Sequence, residues 1–186
     1  MKYVGLAMCF VLLLSGCSFG ESEMDKALDL RAQVLAASEV SFHAHIVADY
    51  GDQLHTFSMN CSGNGQGDMQ FAVTEPETIS GITGTISEEG GKLTFDDKAL
   101  FFELLTDDQL SPVSAPWIFL RTIRSGYIRS AGMEGEYLRL TIDDSYEEDA
   151  LQLDIWTDEN NLPVRTDILY DGKRILSLDI EEFDIR

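Results

Sequence analysis

Basic side chains are scarce in this chain: 13 lysines and arginines stand against 33 aspartates and glutamates in 186 residues, a formal net charge of -20. That balance excludes nucleic acid as a partner, because nothing here could neutralise a row of phosphates. It also excludes unassisted binding to an anionic membrane surface. After the first fourteen residues no second long apolar run occurs, so no transmembrane helix is expected beyond whatever the N-terminus supplies. No serine on an elbow glycine, no metal-binding helix motif and no phosphate loop occurs, and no carboxylate pair stands out in so acidic a chain. The expectation is therefore a protein without catalytic residues and without a cofactor. What is present, 44% apolar and 10% aromatic residues, is enough to build a packed core. The length fits one ordinary domain plus a targeting segment, able to bury about 70% of its unfolded surface without disulfides or metal.

The N-terminus reads as an address. Met1-Lys2 precedes a mostly apolar stretch from Tyr3 to Leu14, too short to span a bilayer comfortably, and small residues follow. The ending Leu14-Ser15-Gly16-Cys17 resembles a bacterial lipobox. The resemblance implies a leader of residues 1–16, cleavage before Cys17 and a thioether-linked diacylglycerol on its sulfur. Bulky Met8 makes Cys9 a poor competitor. Residues 17–23 would then be a tether and 24–186 a single domain, held on the outer face of the cell membrane by the acyl chains of Cys17. Beyond Cys17 only Cys61 remains, ending the alternation Phe57, Met59, Cys61, which makes it a small core residue rather than a nucleophile.

Along the domain, residues 24–37 predict a helix, with Ala27, Leu30, Val34 and Ala37 on one face. Strand patterns follow over 41–50, 54–61, 69–75, 79–87, 92–95 and 99–104, with turns at Gly51-Asp52, 62–67, Gly90-Gly91 and Asp96-Asp97. Gly81 and Gly84, inside the fourth pattern, imply a bulge or the close approach of another group. Residues 106–116 read as a loop. Ser114 is placed to cap a second helix with Pro116 in its first turn and Trp117, Leu120 and Ile123 on its apolar side, ending at Gly126. Strands at 137–142, 151–156, 162–170 and 174–183 close the chain. About ten strands with strict alternation cannot lie flat. The fold class expected is α+β: a strongly curved antiparallel sheet, a half-barrel of about ten strands, with two helices covering its concave face.

The stretch from Leu151 to Arg165, with its acidic-amide turn Asp158-Glu159-Asn160-Asn161 and Leu162-Pro163 opening the next strand, then Tyr170-Asp171-Gly172 turning into Arg174-Ile175-Leu176, resembles the C-terminal strands of the LolA/LppX/RseB-like superfamily of envelope proteins. The N-terminal helix followed by Phe42 to Tyr50 and a hairpin resembles it too. The resemblance implies a half-barrel whose apolar interior holds acyl chains or a lipid-linked partner. A carrier that shuttles between membranes is not itself lipidated, so Cys17 favours a tethered binder or chaperone.

The candidate ligand cavity comprises Phe42, Ile46, Phe57, Met59, Met69, Phe71, Trp117, Leu120, Leu138, Leu140, Leu153 and Ile155, with Trp156 at its border. An acyl chain needs no hydrogen bonds, and each methylene removed from water contributes about 0.8 kcal/mol. Alternation fits both an open cleft with a movable lid at Trp117 and a filled core. His43 and His45 share one strand face, with His55 across the hairpin, a set that could hold zinc; their phase, opposite Phe42, instead points them at solvent. The acidic run 143–149 lacks the glycine and spacing of a calcium loop, and Asp107-Asp108 and Asp158-Glu159 read likewise as solvated turns. The function expected is a membrane-anchored extracytoplasmic lipoprotein binding a lipid, an acylated protein or another hydrophobic ligand without covalent chemistry. The alternative is a lipid-anchored interaction module with a filled core that docks an envelope protein.

Overall fold

A computed structural model describes residues 22–51, 53–96, 98–102, 105–106, 109–147 and 150–186. The leader and Cys17 lie outside the described residues. Helix α1, Glu23–Ala36, opens one residue earlier than its apolar period. Ser22 and Asp25 form a capping box: the Ser22 hydroxyl accepts from the Asp25 amide at 3.1 Å, and the Asp25 carboxylate accepts from the Ser22 amide at 3.1 Å. The Ser22 hydroxyl, which also donates to the Asp25 carboxylate at 2.7 Å, and the Ser22 amide hold the Asp25 carboxyl below its usual pKa.

The strands are β1 (Glu39–Asp49), β2 (Leu54–Asn64), β3 (Met69–Glu75), β4 (Thr83–Ser87), β5 (Gly90–Phe95), β6 (Lys98–Phe102), a small ribbon of β7 (Leu105–Thr106) and β8 (Gln109–Leu110), then β9 (Tyr127–Glu134), β10 (Tyr137–Asp143), β11 (Gln152–Thr157), β12 (Pro163–Tyr170) and β13 (Lys173–Ile185). A 3₁₀ turn at Pro112–Ser114 leads into helix α2, Ala115–Ser125. Eleven strands form one antiparallel sheet, in the order β6-β5-β4-β3-β2-β1-β13-β12-β11-β10-β9. The last strand closes against the first, so β1 and β13 form the spine, and the sheet stays open at β6 and β9. Alternation along β1 buries Val40, Phe42, Ala44, Ile46 and Ala48 and leaves the intervening residues half-exposed or exposed. Both helices lie on this inner face, giving the expected α+β trough; α1 packs on α2 and β9, and α2 packs mainly on β2, β10 and β13.

Several local expectations are corrected. Strand β9 was not expected: at the sheet edge only Ile128 and Ala131 are half-buried, so no alternation marks it. Strand β4 starts at Thr83, because Pro76 and Gly81 (φ +88°) hold 76–81 in turns. Gly90-Gly91, expected as the turn, belongs to β5, and Glu88-Glu89 turns instead. Strand β2 runs through Gly63, where an added Cβ would lie 2.6 Å from the Leu120 Cδ1 atom, so the missing side chain admits α2. Ser114 does not cap α2; its hydroxyl donates to the Ser111 carbonyl at 2.6 Å. The expected Asp171-Gly172 turn forms with φ values of 48° and 70°, the left-handed pair that matches the strand twist.

Candidate ligand trough

All twelve candidate cavity residues belong to one apolar cluster, and none is more than 7% exposed. Pairing explains the convergence. Phe42 faces Cys61 and Ile46 faces Phe57 across β1 and β2; Cys61 in turn faces Phe71, and Leu140 faces Ile155. Above this floor Phe119 of α2 sits at the centre, with Phe42 at 5.7 Å edge-on and Phe183 at 6.2 Å. Trp117, Ile118, Phe119, Leu120 and Ile123 are all buried. At about 1.5–3 kcal/mol for each buried side chain, their burial favours the seated helix by on the order of 10 kcal/mol.

Polar pins fix the same helix. Arg31 of α1 donates from Nε to the Ile123 carbonyl at 2.6 Å and from Nη2 to the Gly126 carbonyl at 2.7 Å, engaging the acceptors that a helix C-terminus leaves free. Burial lowers the pKa of this guanidinium, which stays charged. The Trp117 indole donates to the Gly67 carbonyl at 2.8 Å. Arg121 lies 4.9 Å from the Trp117 ring and pairs with Asp144 at 2.8 Å. Ahead of the helix, Tyr50 donates its hydroxyl to the Leu110 carbonyl, and burial raises the Tyr50 pKa.

The trough continues past the helices. Ile82, just ahead of β4, and Leu93 and Phe102 on the inner face of β5 and β6 are half-buried, while Phe95 is 45% exposed and Leu100 is 63% exposed. Register puts them in one patch: Leu93 faces Leu100, and Gly91 faces Phe102. Two glycines shape it. A Cβ on Gly84 would meet the Phe71 ring at 2.5 Å and one on Gly91 the Phe102 ring at 2.0 Å, so both rings lie flat on bare backbone. The sequence reading missed this wing. Its signal was present in the Leu93/Phe95 and Leu100/Phe102 alternations and in the glycines beside them.

The outer face carries the remaining candidates. Trp156 alternates with Ile155 and therefore points out of the trough, correcting its placement at the cavity border. It lies between Arg139 and Arg165, at 5.4 and 5.1 Å from their guanidinium carbons. Arg139 also bonds the buried Asp154 at 2.6 Å. His43 bonds Asn60 at 2.8 Å, His45 bonds Ser58 at 3.0 Å and His55 lies 3.3 Å from Gln53. Among the described residues, no three histidine, cysteine, aspartate or glutamate side chains gather as a metal site. Asp143 and Asp144 pair with Arg129 and Arg121. Asp158 accepts from the Asn160 and Leu162 amides and so holds its own turn. Asp107, Asp108, Glu148 and Asp149 lie outside the described residues. Cys61 is buried, which pushes its thiol well above the ordinary range.

No family model matches this chain, and no curated protein matches it. Solved structures with a similar arrangement include an uncharacterized conserved protein from Thermus thermophilus (12% identity, 89% of this chain and 88% of that one, TM-score 0.48). A LolA superfamily protein from Nitrosomonas europaea is similar over 86% of this chain and 93% of its own, at 8% identity and a TM-score of 0.45. Lipoprotein LppX of Mycobacterium tuberculosis is similar at 11% identity over 87% and 92% of the two chains, with a TM-score of 0.40. The group that the C-terminal strands resemble is thus represented among the similar structures. At these identities the likeness concerns the fold alone. No helix of the described residues is long and apolar enough to cross a membrane.

Proposed function

We propose that this chain is an extracytoplasmic lipoprotein, anchored through diacylglycerol on Cys17, that binds a lipid, an acylated protein or another hydrophobic ligand non-covalently in its trough. The observation that carries the reading is the uncovered wing, where Ile82, Leu93, Phe95, Leu100 and Phe102 extend the apolar floor into solvent. A folded chain at -20 that leaves contiguous apolar surface open gains by covering it. A ligand seated there would lie against Leu93, Phe95, Leu100 and Phe102. The bound state needs no reacting group, only burial of methylenes at about 0.8 kcal/mol each.

The filled core between the helices and β1, β2, β10 and β13 favours a second reading. With every floor residue at or below 7% exposure and α2 pinned at both ends, the covered half of the trough serves as a scaffold, and the protein docks an envelope partner. Titration of the full-length chain with a fluorescent fatty acid separates the two. The lipid-binding reading expects saturable binding that Leu93→Glu weakens at least tenfold while leaving the fold intact by circular dichroism. No binding, or binding indifferent to Leu93→Glu, removes it and leaves the docking module.

A further inference from the structure

The outer face of β2–β6 is built from short polar side chains in register. One row across the strands runs Asn60, Ala72, Thr83 and Thr94, and its neighbour runs Ser62, Gln70, Thr85, Lys92 and Phe101. All alternate with residues of the trough and so point away from it. Along these rows lies an open groove of about 560 Å³, bordered by Asn60, Ser62, Gln70, Thr83, Thr85 and Lys92. A second hollow of about 530 Å³ shares Thr85 and Lys92 with it and carries it to Phe101 at the sheet edge.

We infer that this groove binds an uncharged glycan, a run of pyranose rings laid across the strands. A pyranose offers hydroxyls that both donate and accept around its rim, and apolar C–H groups on its two faces. The groove answers both. Gln70, Thr83 and Thr85 are exposed, and amide and hydroxyl side chains likewise donate and accept. Two further partners are held in place by their neighbours: Asn60 bonds His43 at 2.8 Å through its oxygen, which leaves its amide hydrogens to donate, and the Ser62 hydroxyl donates to Glu39 at 2.6 Å, which leaves its oxygen to accept. Phe101, 74% exposed, supplies a flat ring for the C–H face of a sugar, with the Lys92 ammonium 5.9 Å from the ring centroid. Strands lie about 4.8 Å apart, so β2 to β6 span about 19 Å, room for about four rings.

Charge selects this occupant over others. The outer face of the other half of the sheet carries ion pairs, Arg139 with Asp154 and Arg165 with Asp167, whereas the groove presents a single ammonium among hydroxyls and amides. Carboxylates stand at its rims: Glu39 beside Ser62, and Glu89 in the hollow with Phe101. Asp97 and Glu103, which flank β6 in sequence, lie outside the described residues. Rim carboxylates repel a polyanion or a second copy of a chain at -20, but they accept hydrogen bonds from sugar hydroxyls. An acyl chain finds only one exposed aromatic here and little else to bury against. The groove and the trough occupy opposite faces of the sheet, so the inference is independent of what the trough binds.

Titration of the full-length chain in detergent micelles with N-acetylglucosamine tetramer and with cellotetraose, read by backbone-amide NMR, tests it. Saturable shifts are expected with at least one sugar at Asn60, Gln70, Thr85 and Lys92, with the amides of β10–β12 unmoved. Phe101→Ala and Gln70→Leu should each weaken binding about tenfold, the loss of one stacking or hydrogen-bonding contact. Both positions are exposed, so the fold should stay intact by circular dichroism, and Leu93→Glu on the trough face should leave sugar binding unchanged. No saturable shift with either sugar, or shifts that Phe101→Ala and Gln70→Leu leave undiminished, overturns the inference. A strand-forming peptide that moves these amides where both sugars fail also overturns it and assigns the face to a protein.

Discussion

Arg31 is where the covered half of the trough can be unfastened with one substitution. Its guanidinium reaches across from α1 and engages two carbonyls at the end of α2, Ile123 at 2.6 Å and Gly126 at 2.7 Å. Hydrogen bonds from a charged donor contribute about 1.5–3 kcal/mol each, and a cation at a helix C-terminus adds about 0.3–1 kcal/mol. Arg31 is partly buried, so water replaces part of what is lost, and Arg31→Met should cost about 2–4 kcal/mol. Methionine keeps much of the side-chain volume, so the loss is polar rather than a cavity. Urea unfolding should show the midpoint falling at unchanged slope. Arg31→Lys should recover part of the loss, since one ammonium cannot reproduce the fork. Amide exchange within 115–125 should accelerate about 30-fold or more, at tenfold per 1.4 kcal/mol. A loss below about 0.5 kcal/mol, or α2 amides as protected as before, would refute the latch.

Other outcomes follow from single contacts. Gly84→Ala places a methyl 2.5 Å from both the Phe71 ring and the Lys92 carbonyl, and should cost about 1–3 kcal/mol in the same urea assay. Burial raises the Tyr50 pKa, so the folded state prefers the neutral phenol. That stability is fully present below the unfolded value of about 10 and is lost as pH rises above it. Tyr50→Phe should flatten this alkaline loss and cost about 0.5–1.5 kcal/mol at neutral pH through the unanswered Leu110 carbonyl. Cys61, buried and with its thiol pushed up, should resist iodoacetamide in the folded chain and react once denaturant is added, as read by peptide mass mapping.

Much of the trough was legible because alternation on strands this regular encodes which face is buried. Phe42, Ile46, Met59, Leu140 and Ile155 were placed correctly by period two alone. The β12–β13 hairpin was legible through Asp171-Gly172, whose turn chemistry admits few other conformations. The edges were less so. Strand β9 buries too little to show a period, and β5 was shortened because Gly90-Gly91 looks like a turn until Phe102 is seen lying over Gly91. Trp156 was misassigned because an aromatic beside Ile155 reads as core; only the arginines on neighbouring strands show that the outer face can hold an indole. The half-covered state of the trough depends on where two helices stop, and that depends on long-range contacts such as Arg31 to Gly126, 95 residues apart in sequence.

Native mass spectrometry of the full-length chain released gently from membranes bears most directly on the trough as a binding site. The prediction is a non-covalent adduct of lipid mass that organic extraction strips away, and that Leu93→Glu strongly reduces. A chain that flies bare from lipid-rich preparations, or an adduct that Leu93→Glu leaves undiminished, would contradict it.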